Sequence, residues 1–449
     1  MNRIVLCWVM ASLLPAVAAG QTAPASGERL TIEAAIRLAV ENNRQLQTAT
    51  LQVQKAEEDL AAVRTRRLPQ FEASVFGSQL LTPVNFAFPR GAFGDIPGVG
   101  PIPAVDTDVT TKRQPTVYLS AQMSQPLTQL KKIGLNIRGA ATARDLERER
   151  AREHQLEVVN AVKRLYFAIL QTESGLTAGE EALHLYKELD RTLQNRVVQK
   201  VALRSDSLDV QYRLAQAELT QVTRRNTLAS QKEQLNHLLG RDVRTEFEIE
   251  GVSGIALANA ELGAAQARAL DSRPDIRQAR LSLQQAEIDR RVKKTDRIPE
   301  VSVAVSYASN LNMDVLPQNL ASFGLQVKWE PFDWGRKGHE LAAKTQVVAQ
   351  ARHAVRDAED RAVVEINSLF RKLSEARAQL AVVEASQRTV REKVRVTTNQ
   401  YQLQAALLSD VLRVRAELAD TDDRYQQALM TFWTAKADFD QALGEEAVQ

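Results

Sequence analysis

Residues 366–442 read INSLFRKLSEARAQLAVVEASQRTVREKVRVTTNQYQLQAALLSDVLRVRAELADTDDRYQQALMTFWTAKADFDQA, and from His339 to Leu443 the chain has no glycine and no proline. Inside a helix Gly costs about 1 kcal/mol and Pro about 3 kcal/mol, so a run without either is one very long helix or a long helical hairpin. The apolar positions decide. Ile366, Leu369, Leu373, Ala376, Leu380, Val383, Gln387, Val390, Val394, Thr397 and Tyr401 alternate steps of three and four. A second seam runs Val411, Val414, Leu418, Thr421, Tyr425, Ala428, Phe432, Ala435, Phe439, Ala442. Both are heptad seams of the coiled-coil type, and they fall out of phase between Tyr401 and Val411. Ser409-Asp410 lies there, with a hydroxyl to cap free N–H groups and a carboxylate suited to the positive helix end. The reading is a helix over 335–403, a tight turn at 404–408 and a return helix over 409–443. At ~1.5 Å per residue the first arm is about 100 Å long. Such a rod spans a distance that no compact domain needs.

Outward from this hairpin, the chain contains itself twice. Leu51, Gln54, Ala56, Glu57, Asp59, Thr65, Arg67 and Pro69 match Leu281, Gln284, Ala286, Glu287, Asp289, Thr295, Arg297 and Pro299 at a shift of 230. Pro126 matches Pro331 at a shift of 205; Ser205, Asp206, Leu208, Val210 and Gly240 match Ser409, Asp410, Leu412, Val414 and Gly444 at 204. The first copy therefore carries about 25 extra residues between Pro69 and Pro126, and each unit is too long for a solenoid repeat. The expected units are 28–256 and 257–449. Each begins with a short amphipathic segment (Ile32–Val40; Leu257–Leu270) and a helix (Gln45–Arg66; Asp275–Lys294). A β-hairpin follows (69–125; 299–331), then a helical hairpin (131–239; 335–443). Gly175 and Gly179 inside the first helical hairpin are expected to mark a bend.

The strands alternate with period two. Val301, Val303, Val305 and Tyr307 interleave with Ser302, Ala304, Ser306 and Ala308; Phe323, Leu325, Val327 and Trp329 with Gly324, Gln326, Lys328 and Glu330. Val117, Leu119, Ala121 and Met123 do the same in the first copy, and Phe71, Ala73 and Val75 more weakly. Segments of about ten residues, apolar on one face and small or polar on the other, suit membrane β-barrel strands; a half-buried sheet in a soluble protein is the alternative. Four strands cannot close around a lumen, since the smallest membrane barrels have about eight, and an open edge in lipid costs several kcal/mol per unpaired backbone group. Strands that enter a membrane would therefore require oligomerisation. The connection 81–115, rich in Gly and Pro, and the short 309–321 point away from the helices.

Arg3, the apolar run Ile4–Leu14 and small residues to Gly20 read as a signal peptide over 1–20, with a membrane anchor as the alternative. The only cysteine, Cys7, falls within it, so disulfides are excluded from the remainder. With 58 basic and 55 acidic residues, the charge gives no reason to expect nucleic acid. His154, His184, His237, His339 and His353 are dispersed, and His339-Glu340 lacks a second histidine four positions on, so no zinc pair forms. Gly98-Val99-Gly100 opens no helix and is no phosphate cradle. No catalytic grouping stands out; neither an enzyme nor a cofactor or metal site is expected.

The constellation resembles the TolC family of outer-membrane efflux proteins from about Leu30 to Gly444. The resemblance is carried by Leu68-Pro69 and Ile298-Pro299, by the strand exits Gln125-Pro126-Leu127 and Glu330-Pro331-Phe332-Asp333-Trp334-Gly335-Arg336, and by the turns Val201-Ala202-Leu203-Arg204-Ser205-Asp206 and Leu407-Leu408-Ser409-Asp410-Val411-Leu412. It implies an α+β membrane protein: a homotrimer in the outer membrane, reaching into the periplasm, with a twelve-stranded barrel and a twelve-helix tunnel. It further implies an exit duct for a tripartite efflux pump or type I secretion system, with an inner-membrane pump and a periplasmic adaptor (membrane fusion) protein as partners. On that basis the docking tip comprises Leu203, Arg204, Ser205, Asp206, Leu407, Leu408, Ser409 and Asp410, and Phe332 and Trp334 sit at the interface with outer-membrane lipid. The competing reading is a soluble periplasmic coiled-coil scaffold or adaptor. Two departures from the family stand out: Ala202 and Ala405 or Ala406 replace a tip glycine, and Arg391, Lys393 and Arg395 occur where some members carry acidic rings. Those three are either solvated outer-face charges or the sign of a mouth without cation preference.

Overall fold

A computed structural model describes residues 29–79, 81–83, 85–110, 113–201, 203–251, 261–311 and 318–445. The expected signal peptide lies outside them, as does Ala202. In chain order the elements are β1 (Arg29–Leu30), α1 (Ile32–Asn42), α2 (Arg44–Thr65), β2 (Gln70–Gln79), β3 (Asn85–Phe88), β4 (Asp95–Ile96), β5 (Gly100–Pro101), β6 (Thr107–Thr110) and β7 (Pro115–Pro126), then α3 (Leu130–Val198), α4 (Arg204–Leu238) and β8 (Glu248–Ile249). The chain continues with α5 (Leu262–Ser272), α6 (Pro274–Thr295), β9 (Glu300–Leu311), β10 (Asn319–Lys328), α7 (Arg336–Gln402) and α8 (Leu408–Ala442). The long arms α3 and α7 have 69 and 67 residues, about 100 Å each.

The helices lie four abreast. Toward the sheet the order is α2–α3–α6–α7, shown by Arg148–Glu57, Gln278–Glu153 and Arg280–Glu359 contacts. Toward the turns it is α4–α3–α8–α7, shown by Gln221 donating to the Leu176 carbonyl, Asn160 to Asp438 and Gln387 to Asp422. The row gives each inner helix a neighbour on two sides, which is why α3 buries both Val158 and Asn160, on opposite sides of its axis.

Where the two rows meet, matching positions do matching work with different chemistry. Asn43 ends α1 and caps α2: its side-chain oxygen accepts from Gln45 N–H (2.9 Å) and Leu46 N–H (3.2 Å), while its Nδ2 donates to the Leu238 carbonyl at the end of α4 (2.8 Å). The corresponding Arg273 breaks α5 from α6 and donates to the Ala442 carbonyl at the end of α8 (3.3 Å), held by Asp275 and Glu365. Tyr166, 1% exposed, seals the first joint: its hydroxyl is 2.9 Å from the Leu30 carbonyl oxygen and 2.6 Å from that of Glu250, beside the parallel β1–β8 ladder. Burial pushes the phenol pKa well up, so it stays a donor.

One expectation needs correction. Ser409 is not the cap of the return helix; α8 starts one residue earlier with Leu407 at the cap position. There the Asp410 carboxylate accepts from Leu407 N–H (3.2 Å), half of a capping box, because leucine offers no side-chain acceptor. Gly175 and Gly179 lie inside the unbroken helix α3. They form a notch for α4: a Cβ at Gly175 would lie 2.5 Å from Arg224 Nη1, and one at Gly179 2.7 Å from Gln221 Oε1. The connection 81–115 has elements of its own. It carries the ladders β3–β6 and β4–β5, with Gly91, Gly94, Gly98 and Gly100 at positive φ making the bends.

Gly240 follows α4 with φ 70°, and a Cβ there would meet the Asn42 carbonyl oxygen at 2.1 Å. Neither atom can give, since both are backbone. Gly240→Ala should cost about 2–4 kcal/mol through strain and overlap, whereas Gly134→Ala, in α3 with nothing within 4 Å, should stabilise by up to about 1 kcal/mol. Thermal unfolding of the detergent-solubilised variants checks both; equal midpoints would disprove the account.

Candidate functional site

The sheet is a single antiparallel ribbon in the order β10–β9–β7–β2. Register keeps the two faces separate across all four strands. The row Phe71, Met123, Val305, Phe323 is in register, as are Val75 with Leu119, Val303 with Leu325, and Val301 with Val327. Large apolar side chains on this face stand in the open, Phe71 at 77% and Phe323 at 76% exposed. The opposite face holds Ser74 against Ser120 (Oγ to Oγ 2.7 Å), Ser78 against Thr116 (2.8 Å) and Ser306 against Ser322 (2.6 Å). Cross-strand hydroxyl pairs of this kind suit a wet surface. Both outer strands, β2 and β10, have one edge without a partner among the described residues.

An ion-pair lattice joins sheet to helices. Lys132 at the start of α3 reaches Asp296 (2.9 Å) and Glu300 (3.6 Å); Lys293 reaches Asp296 (2.9 Å) and Glu340 (2.6 Å); Arg336 reaches Glu340 (3.2 Å) and Glu330 (2.6 Å). Thr128 Oγ1 donates to the Pro299 carbonyl (2.7 Å) and accepts from Val301 N–H (2.8 Å), lashing the two copies together. Burial acts to raise the Asp296 carboxyl, but hydrogen bonds from Lys132 and Lys293 outweigh it and hold the pKa below the ordinary range. Lys293, then Arg336, depress Glu340 as well.

Phe332 and Trp334 lie at this junction, 67% and 89% exposed, with ring centroids 4.7 Å apart in an edge-on pair. Trp334 has φ 54°, and Asp333 between the rings accepts from Gly335 N–H (3.1 Å) and Lys337 N–H (2.9 Å). The Lys337 N–H bond is the main cause of its lowered pKa. The turn that starts α7 thus aims both rings outward.

At the far end the two turns are built alike. Val201 N–H bonds to the Arg196 carbonyl (3.0 Å) and Lys200 N–H to Val197 (3.0 Å); Ala405 N–H bonds to Gln400 (2.8 Å) and Gln404 N–H to Tyr401 (3.0 Å). These are paired Schellman closures. The left-handed residues are Lys200 (φ 62°) and Gln404 (φ 59°); neither Ala405 nor Ala406 has a positive φ. Leu203 and Leu407 cap the return helices and are 68% and 62% exposed. Arg204, Ser205 and Asp206 occupy the first turn of α4, exposed, and Ser205 Oγ donates to Asp206 (3.3 Å). Leu408, Ser409 and Asp410 occupy the same place on α8. Structure therefore groups four docking candidates on each turn.

Arg391 pairs with Asp422 (3.6 Å), Lys393 with Glu417 (2.6 Å) and Arg395 with Glu392 (2.5 Å). Each cation has its own carboxylate.

The outer membrane efflux protein family model matches residues 35–241 and 266–445. The chain belongs to that family. Its fold is that of solved outer-membrane channels. It is similar to the Campylobacter jejuni CmeC outer membrane channel (16% identity, 92% of this chain and 85% of that chain, TM-score 0.75) and to CusC (18%, 92% and 92%, 0.73). It is also similar to the outer membrane protein VceC of Vibrio cholerae (14%, 92% and 96%, 0.71). No curated protein sequence matches it. As a member of this family of channel proteins, the outer membrane efflux protein described here resides in the outer membrane and extends into the periplasm. A soluble periplasmic scaffold is thereby set aside. Sequence reading missed the Asn43 and Arg273 joints and the Tyr166 seal; the 230-residue shift that pairs Asn43 with Arg273 was the available signal.

Two tests follow. A carboxylate with a depressed folded pKa contributes stability that is complete above its unfolded value of about 3.9 and lost as pH falls through the folded value. Asp296→Asn should therefore lower the unfolding temperature at neutral pH and flatten the acid limb below about pH 4; an unchanged acid limb would remove Asp296 from the account. Relief of left-handed strain in Lys200→Gly and Gln404→Gly should stabilise each turn by about 1 kcal/mol. Slower amide exchange at Val201 and Ala405 would register it, and faster exchange would refute it.

Proposed function

We propose that three copies of this chain close a twelve-stranded barrel and a twelve-helix tunnel, forming the exit duct of a tripartite efflux pump or type I secretion system. One observation carries the reading: a single ribbon with an apolar face along its whole length and both edges unpaired. In hydrocarbon each unpaired backbone group costs several kcal/mol, and pairing β2 of one copy with β10 of the next removes every edge. Threefold closure also turns the row of four helices into a cylinder. The polar face then lines the lumen and Phe332 and Trp334 sit at the periplasmic lipid interface, where aromatic rings with one wet side are at home. The units 28–256 and 257–449 act as two quasi-equivalent staves per chain, in keeping with the repeated element order and the two-part family match.

The turns are the proposed docking surface for a periplasmic adaptor. Leu203 and Leu407 supply apolar anchors at the end of a charged rod, with Arg204, Ser205, Asp206, Leu408, Ser409 and Asp410 around them. An inner-membrane pump drives transport, and the duct itself is passive.

Detergent extracts of the outer membrane, sized by mass photometry, should give a particle of three chains. Because the region after Cys7 has no cysteine, Leu203→Cys and Leu407→Cys permit clean crosslinking to the adaptor in cells. A monomer in the soluble periplasm would overturn the duct; a trimer with no tip crosslink would overturn the docking assignment alone.

A further inference from the structure

The wet face of the sheet is not uniformly polar. Phe76 on β2 and Tyr118 on β7 are direct register partners on it, and Leu320 on β10 belongs to the same face, in line with Ala308 on β9. All three lie within four residues of the loop-side end of their strands. They are 64%, 43% and 58% exposed, although the rest of that face is Ser, Thr, Gln, Ala and Gly with a few charges. Two aromatic rings and a leucine facing water in one chain need an occupant or a purpose.

The charges on the same face add a second element. At the helix-side end Lys328 is in register with Glu300, so opposite signs balance there. Glu72 is in register with Gln122 and has no ion-pair partner among the described residues. It lies four residues from Phe76 on the same strand and face, ~13 Å away along the strand. Loop-side apolar rings and a helix-side carboxylate thus stand one molecule's length apart.

Resting on the trimeric duct reading, we propose that Phe76, Tyr118 and Leu320 form an apolar collar inside the barrel exit. With Glu72 they make a transient site for amphipathic organic cations. The rings of Tyr118 and Phe76 take the apolar body. Glu72 holds the charge from below. Threefold repetition presents three such sites around one lumen, so a departing cation can pass between them. An inorganic ion meets only the low-dielectric constriction, which hinders it.

Ser74 lies on the same face between Phe76 and Glu72, which makes it a reporter. In outer-membrane vesicles, Ser74→Cys is treated from outside with a membrane-impermeant cationic thiol reagent. Tetraphenylphosphonium should slow labelling about tenfold at concentrations where tetramethylammonium does nothing. Protection should vanish on adding Phe76→Ser with Tyr118→Ser, and drop on adding Glu72→Gln, a change too conservative to unfold the strand. If tetraphenylphosphonium gives no protection, or gives the same protection in both collar and Glu72 variants, the site does not exist. If Ser74→Cys stays unlabelled in every background yet reacts once denatured, the wet face is not an open lumen and the duct geometry itself fails.

Discussion

Everything in this molecule answers to the two unpaired edges of one four-stranded ribbon. A backbone N–H or C=O cannot be left bare in hydrocarbon, so the trimeric barrel proposed above requires every such edge to find a partner. In that proposal the partners come from neighbouring copies, which suits a ribbon in unbroken register beside helices set in a row. A bundle would bury its apolar surface internally and have nothing to offer a neighbour. A row keeps α7 on one flank and α2 and α4 on the other available for contact.

The two halves of the chain run through the same order of elements but hold their joints differently. Asn43 and Arg273 occupy one structural position and reach the final carbonyls of α4 and α8. An uncharged amide achieves in a single residue what the second copy does with a guanidinium and two carboxylates. Both routes satisfy the same orphan groups at a helix end. Selection on this scaffold evidently acts on the satisfied backbone, not on the side chain that satisfies it. The same freedom shows at the membrane: β2 and β7 are joined through two extra ladders, while β9 and β10 are linked by a short connection.

Long features were legible in the sequence. A run without Gly or Pro, two heptad seams out of phase, and four period-two segments fixed the helices, the turn and the strands to within a few residues, because each rests on many positions acting together. Features made by one residue were not. The cap of α8 fell on Leu407 because Asp410 accepts from its backbone, a local bond that Ser409 seemed equally able to supply. The notch at Gly175 and Gly179 looked like a helix defect because its cause, Arg224 and Gln221, lies some 45 residues away on α4. The partners of Arg391 and Lys393 were not legible because Asp422 and Glu417 sit on another helix.

The left-handed residues at the turns carry a final implication. Glycine at such a place leaves a smooth end, all main chain. Lys200 and Gln404 instead project a long flexible side chain from the tightest point of each hairpin, so the extremity of the rod is bristled. Whatever meets it head-on has to bend those bristles aside or thread between them, and a blunt, closely fitting face would be held off. A partner that grips the sides, interleaving with the grooves beside the hairpins, meets no such obstacle.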